Sequence, residues 1–183
     1  MISGDDIEAM KPDVRLVAIT GYAGSGKSTA AQVLLDAGWV RVKFAAPLKN
    51  MCRALGMTDD MIEGDLKETP IPWLGGKTPR YVMQTLGTEW GRNIVAQSLW
   101  TDIATREIAR HLDVGRNVVV DDCRFENEAQ AVRRLSGKIL RITGRGGIAG
   151  GHVSENLVGA DIEYNNIGTE EELRGFMRYV FVG

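Results

Sequence analysis

Residues 15–35 read RLVAITGYAGSGKSTAAQVLL, a short apolar run of strand type that breaks into a glycine-rich turn and resumes as a helical pattern. Gly21, Gly26, Lys27 and Ser28 fill the G-x-x-x-x-G-K-[ST] spacing of a phosphate-binding loop. The flanks agree with it, because the strand pattern ends just before Gly21 and the helical one begins at Lys27. A triphosphate concentrates negative charge, and backbone N–H groups at a helix N-terminus reach that charge only where side chains leave them open. Gly21, Gly24 and Gly26 provide the opening, with Ala23, Ser25 and Thr29 completing the cradle. The Lys27 ammonium is placed for the β- and γ-phosphates, and the Ser28 hydroxyl for Mg²⁺. A glycine-rich hairpin before an ordinary helix is the competing reading, and it requires neither the eight-residue spacing nor both flanking elements.

Outward from this point the chain alternates strands and helices. Residues 1–13 are polar, and Pro12 separates this N-terminal lead from the first strand. The helix after the loop stops at Gly38. Residues 39–44 (WVRVKF) alternate apolar and charged, the period of a strand with one buried face. Pro47 suits the first turn of a helix over residues 47–55, which brings Lys49 close to a strand end. Residues 57–79 hold three of the five prolines and three glycines, yet carry too many apolar side chains for disorder. A partly packed, mobile segment over a substrate site is expected there. Residues 80–97 (RYVMQTLGTEWGRNIVAQ) turn helical, with Val82, Leu86, Trp90, Ile94 and Val95 expected on one face. Gly87 and Gly91 are costly inside a helix and signal close approach of a backbone or ligand. Glu89 and Arg92 have the spacing of a solvated ion pair. Residues 99–112 form a further helix.

The second informative place is Asn117 to Val120 followed by Asp121 and Asp122. A β-branched run of this kind reads as a buried central strand, and in a parallel sheet the carboxylates at its end lie beside the phosphate loop. Neighbouring strand residues point to opposite faces, so only one aims at the metal; Asp122 is favoured, and helix capping is the competing role. Arg124 suits a phosphate fork. Residues 126–135 read as a helix and Lys138–Thr143 as a strand. Five glycines then fall between Gly144 and Gly151, a candidate lid over residues 144–155, with Arg145 placed to close on transferring charge. His152, Ser154 and Glu155 follow. A last strand over residues 161–167 and a helix over 169–181, opened by the capping pair Thr169 and Glu172, complete the pattern. Together these elements imply an α/β/α three-layer sandwich with a central parallel sheet and a flexible lid.

Composition bounds the rest. A chain of 183 residues suits one domain, and 44% hydrophobic with 25% charged residues is a globular balance. A net charge of −2 argues against a broad nucleic-acid or membrane footprint. Two cysteines, far apart, fit neither a disulfide framework nor a thiolate metal site, and no apolar run is long enough to span a bilayer. A cytoplasmic protein is expected, and a homodimer is left open.

GYAGSGKST, FAAPLK, LGTEWGRN, DDCRFENEA, HVSE and the closing D-x-x-x-N-N-x-G-T-x-E-E-L together resemble the phage-type deoxynucleoside monophosphate kinases of the P-loop nucleoside monophosphate kinase superfamily, over residues 21–173. The resemblance implies transfer of the ATP γ-phosphoryl group to a deoxynucleoside 5′-monophosphate, for DNA precursor supply. It puts Lys27, Ser28 and Asp122 on the ATP and Mg²⁺ side, Arg124 at the acceptor phosphate and Arg145 in the lid. It also places the acceptor pocket in the helical region 57–98, with Arg80, Trp90 and Arg92; Lys49, Asp121, Arg124 and Glu155 complete the expected substrate contacts. Alternatives are a kinase of hydroxymethylated pyrimidine in DNA, a kinase of another phosphorylated small molecule, and a nucleotide-dependent switch.

Overall fold

A computed structural model describes residues 14–146 and 158–183; the lead expected over residues 1–13 and most of the expected lid, with His152, Ser154 and Glu155, lie outside them. Five strands form one parallel sheet in the order β2-β3-β1-β4-β5. They are β1 (Leu16–Thr20), β2 (Val40–Val42), β3 (Val118–Val120), β4 (Lys138–Thr143) and β5 (Ile162–Asn165). β1 and β3 are buried along their whole length, as expected of strands covered on both faces.

The helices are α1 (Lys27–Asp36), α2 (Ala46–Ala54), α3 (Asp59–Ile62), α4 (Pro79–Gln84), α5 (Leu99–Asp113), α6 (Glu126–Arg134) and α7 (Glu170–Met177). Their boundaries follow local chemistry. Gly38, with φ +87°, ends α1; Pro47 sits in the first turn of α2; Thr169 and Glu172 cap α7 reciprocally.

The chain divides into two compact units, residues 1–43 with 105–183, and residues 44–104; the boundary falls inside α5. In the first unit, Val17, Ile19, Val119, Leu140 and Ile142 face Ala30, Ala31, Val33 and Leu34 of α1 and Leu173 and Met177 of α7, forming a continuous core. The intervening residues look the other way, where α6 packs on β1 and β4. Helices therefore cover both faces of the sheet, the three-layer α/β/α arrangement.

The second unit has its own small core of Cys52, Met57 and Ile62 with Leu48, Met61, Val82, Met83 and Leu86 around it. Residues 57–79 are partly ordered by α3 and by two short 3₁₀ turns, Asp65–Glu68 and Pro72–Leu74. Here the sequence expectation meets a difference. After α4 the chain widens into a π-helical segment, Thr85–Val95, that buries Gly87 and Gly91. Ile94 is 75% exposed and Trp90 39% exposed, so the apolar face expected at a 3.6-residue period does not exist in this form. A wide winding rotates each successive side chain away from the position that periodicity assigns to it.

Candidate active site

The glycine-rich loop runs from the end of β1 to the start of α1. Gly21 has φ +144° and Gly26 φ +107°. A Cβ at Gly21 would press into the Ile142 carbonyl oxygen and lie 2.8 Å from Ser25 Oγ; one at Gly26 would lie 2.6 Å from Asn166 Nδ2. Only glycine fits both the backbone angles and the close neighbours at these two places. Ala23, Gly24 and Ser28 are exposed, Gly26, Lys27 and Thr29 half-buried. Ser25 is buried, and its Oγ has no hydrogen-bond partner. The Asn166 side chain, reaching across from the end of β5, donates from Nδ2 to the Ser25 carbonyl at 2.8 Å.

Lys27 folds over this loop, its Nζ donating to the Gly21 carbonyl at 2.8 Å and the Tyr22 carbonyl at 2.6 Å. Its pKa is held below the ordinary lysine value, chiefly by burial and then by the Arg124 guanidinium, with Asp121 opposing them. Lys27, Arg124 and Asp121 thus share one electrostatic environment.

Sheet parity explains where the Asp121 carboxylate lies. Arg41 pairs with Val119, whose side chain faces α1, so Asp121 and Lys43, each two residues further on, fall on that same face. Asp121, with a side chain 9% exposed, lies 3.2 Å from Arg41 Nε and 3.6 Å from Lys43 Nζ. Asp122, favoured from the sequence, adds its charge to that of Glu128 near Cys123, whose thiol is pushed up first by burial and then by those two carboxylates. Arg124 is exposed, and its backbone is fixed because buried Glu128 accepts from the Arg124 and Phe125 N–H groups at 2.8 and 3.1 Å. Arg145 donates to the Gly168 carbonyl beyond β5. Arg141 is tied to Glu163 at 2.6 Å and to the Val158 carbonyl, a structural role.

The expected acceptor residues belong to the second unit. Lys49 pairs with Glu63 at 2.6 Å, Arg80 pairs with Glu68, and the Trp90 ring lies 6.2 Å from that of Trp100. Arg92 is half-buried on the π segment. Four residues of interest escape sequence reasoning: Arg41, Lys43, Glu128 and Asn166. Alternation marks Arg41 and Lys43 as charged positions, but not which neighbouring strand they face.

A glycine cradle with its lysine, set at the strand ends of a parallel sheet covered on both sides, defines a P-loop nucleotide-binding protein. Within that class, residues 77–166 match the family model described as deoxynucleotide monophosphate kinase. The chain is 36% identical over 165 residues, 83% of each chain, to an Acanthamoeba polyphaga mimivirus protein named "Putative deoxynucleotide monophosphate kinase". The chain belongs to the deoxynucleotide monophosphate kinase family, and is a phosphotransferase of nucleotides. A "UPF0200 protein" of Aeropyrum pernix is 27% identical over 131 residues, 72% of this chain and 58% of that one. Among solved structures the chain is similar to a sugar kinase from Janibacter sp. HTCC2649 (TM-score 0.48, 16% identity, 92% and 94% of the two chains). It is likewise similar to the Aquifex aeolicus shikimate kinase (TM-score 0.45, 12% identity, 88% and 93%). Among the described residues no helix is long and apolar enough to cross a membrane.

Proposed function

We propose that this chain transfers the γ-phosphoryl group of ATP to a deoxynucleoside 5′-monophosphate, giving the diphosphate. The observation that carries the reading is the glycine cradle at the end of β1 with the Lys27 ammonium folded over it, a lysine whose charge Arg124 and Asp121 both influence. Two cations of different geometry and one carboxylate are what phosphoryl transfer needs at that place. The donor set also fits a polyphosphate: Gly21 and Gly26 hold the loop in backbone angles that a side chain would not allow, and the Lys27 ammonium lies over it.

In this mechanism the cradle amides from residues 21–29 hold the β- and γ-phosphates and Lys27 leaves its carbonyl partners to meet them. Ser28 and Asp122 would hold Mg²⁺, with Asp121 as the neighbouring carboxylate at the strand end. When bound, Mg²⁺ neutralises part of the phosphate charge. The attacking acceptor oxygen is already anionic, so alignment and charge neutralisation replace a general base. Arg124 grips the acceptor phosphate and Arg145, at the base of the 144–155 lid, closes on the transferring group. Arg80, Trp90 and Arg92, within the acceptor region 57–98, hold the acceptor nucleotide, and Lys49 and Glu155 are assigned to substrate contacts outside that region. All of this belongs to one kinase domain.

A coupled ADP-release assay across the four deoxynucleoside monophosphates, with ribonucleotides and hydroxymethylated duplex DNA as controls, tests the reading. ADP release that depends on a deoxynucleoside monophosphate is expected; none with any of the four would refute it. Lys27→Ala is expected to lower turnover by about 10²- to 10³-fold while the fold persists by circular dichroism.

A further inference from the structure

Trp100 lies in the first turn of α5 and is 6% exposed. Its indole Nε1 donates to the Gly87 carbonyl at 2.8 Å, a buried bond from one helix into the backbone of the π segment. The same ring covers Gly91, where a Cβ would lie 2.5 Å from Cζ2, 2.7 Å from Cε2 and 2.8 Å from Nε1. The other glycine of the segment meets Leu48 of α2, with a Cβ at Gly87 placed 3.1 Å from Cδ2. Thr85–Val95 is therefore held on two sides through its glycines, while Thr88, Glu89, Trp90 and Ile94 stay exposed. A helix that serves only packing does the reverse and buries its side chains. Within the segment, the Ala96 N–H closes on the Gly91 carbonyl at 3.0 Å across five residues, the wide winding that is found often at functional sites.

We propose that Trp100 is a positioning residue for acceptor binding. Its hydrogen bond to Gly87 and its stacking over Gly91 hold the π segment in the winding that presents Trp90 and Arg92 to a nucleoside monophosphate. The Trp90 ring lies beside that of Trp100, tilted 47° to it. This inference rests on the acceptor role proposed above for the segment.

Trp100→Phe keeps most of the apolar volume and removes the indole N–H. It is expected to raise the KM for the acceptor about tenfold, the scale of one buried hydrogen bond, and to leave the KM for ATP unchanged. Gly91→Ala is expected to raise the same KM, and by less in the Trp100→Phe background, where the atoms that its methyl meets are gone. An unchanged acceptor KM in both single variants, or equal rises for both substrates, overturns the proposal. If the wild-type chain phosphorylates no deoxynucleoside monophosphate, the functional reading fails, and amide hydrogen exchange then decides the anchor. Faster exchange confined to residues 85–95 in Trp100→Phe supports it; unaltered exchange there overturns it.

Discussion

The phosphate loop of the first unit and the π segment of the second both depend on glycines pressed against their neighbours, but to opposite ends. At Gly21 and Gly26 the missing side chain turns the backbone so that its own amides become the binding surface. At Gly87 and Gly91 the missing side chain lets Leu48 and Trp100 grip the backbone from behind, so that the remaining side chains become the surface. Each is fixed by a remote donor to a main-chain carbonyl: Asn166 to Ser25 in the first, Trp100 to Gly87 in the second. If the two devices are separate, damage to one should appear in one substrate only.

The strongest test of that separation is Gly21→Ala. A side chain at φ +144° is strained, and its Cβ would meet the Ile142 backbone, which has no rotamer to yield. A penalty of about 3 kcal/mol, or roughly 10²-fold in ATP affinity, is expected from the backbone strain alone. Isothermal calorimetry with ATP measures it, and an affinity within twofold of wild type would contradict the cradle. The acceptor KM, extrapolated to saturating ATP, should move little.

Asn166→Ala is a milder break in the same loop. It removes the 2.8 Å bond to the Ser25 carbonyl and leaves that buried group without its donor, a loss of about 1–3 kcal/mol. A lower melting temperature and an ATP affinity weakened by about tenfold are expected. A rise confined to the acceptor KM would mean that Asn166 does not serve the phosphate loop.

Much of the first unit is legible in the sequence because its signals are local. Lys138–Thr143 forms a strand over the residues that alternation assigns, Gly38 ends α1, and Thr169 with Glu172 opens α7. The eight-residue spacing locates the cradle without reference to any fold. What stays hidden depends on pairing between distant residues. Arg41 and Lys43 read as the solvated side of a strand until the register with β3 sets them on the face that carries Asp121. The same register puts Asp121 within reach of Arg41 and Lys43. Asn166 reaches Ser25 across 141 positions, which leaves no trace in periodicity. The π segment is obscured for a different reason. A period of 3.6 assigns its residues to one set of faces, whereas the observed winding buries the two glycines and turns Ile94 outward.

The smallest expected effect concerns Lys27 and pH. Burial, then Arg124, lower its pKa in the fold, with Asp121 opposing, so between the folded value and the ordinary lysine range the unfolded chain binds the extra proton. Without nucleotide, stability attributable to Lys27 should therefore rise as pH climbs through that window, because the buried charge that opposes folding is being discharged. ATP affinity should move the other way, since the cradle needs the cation, falling no faster than about tenfold per pH unit, the limit for one proton. Melting temperature and calorimetric ATP binding, each followed against pH and referred to Lys27→Ala, separate the two trends. A wild-type ATP affinity that stays level until the ordinary lysine range would remove burial as the cause. The acceptor KM offers the contrast: a residue of the π segment owes nothing to the Lys27 proton, so its profile should not share this alkaline limb.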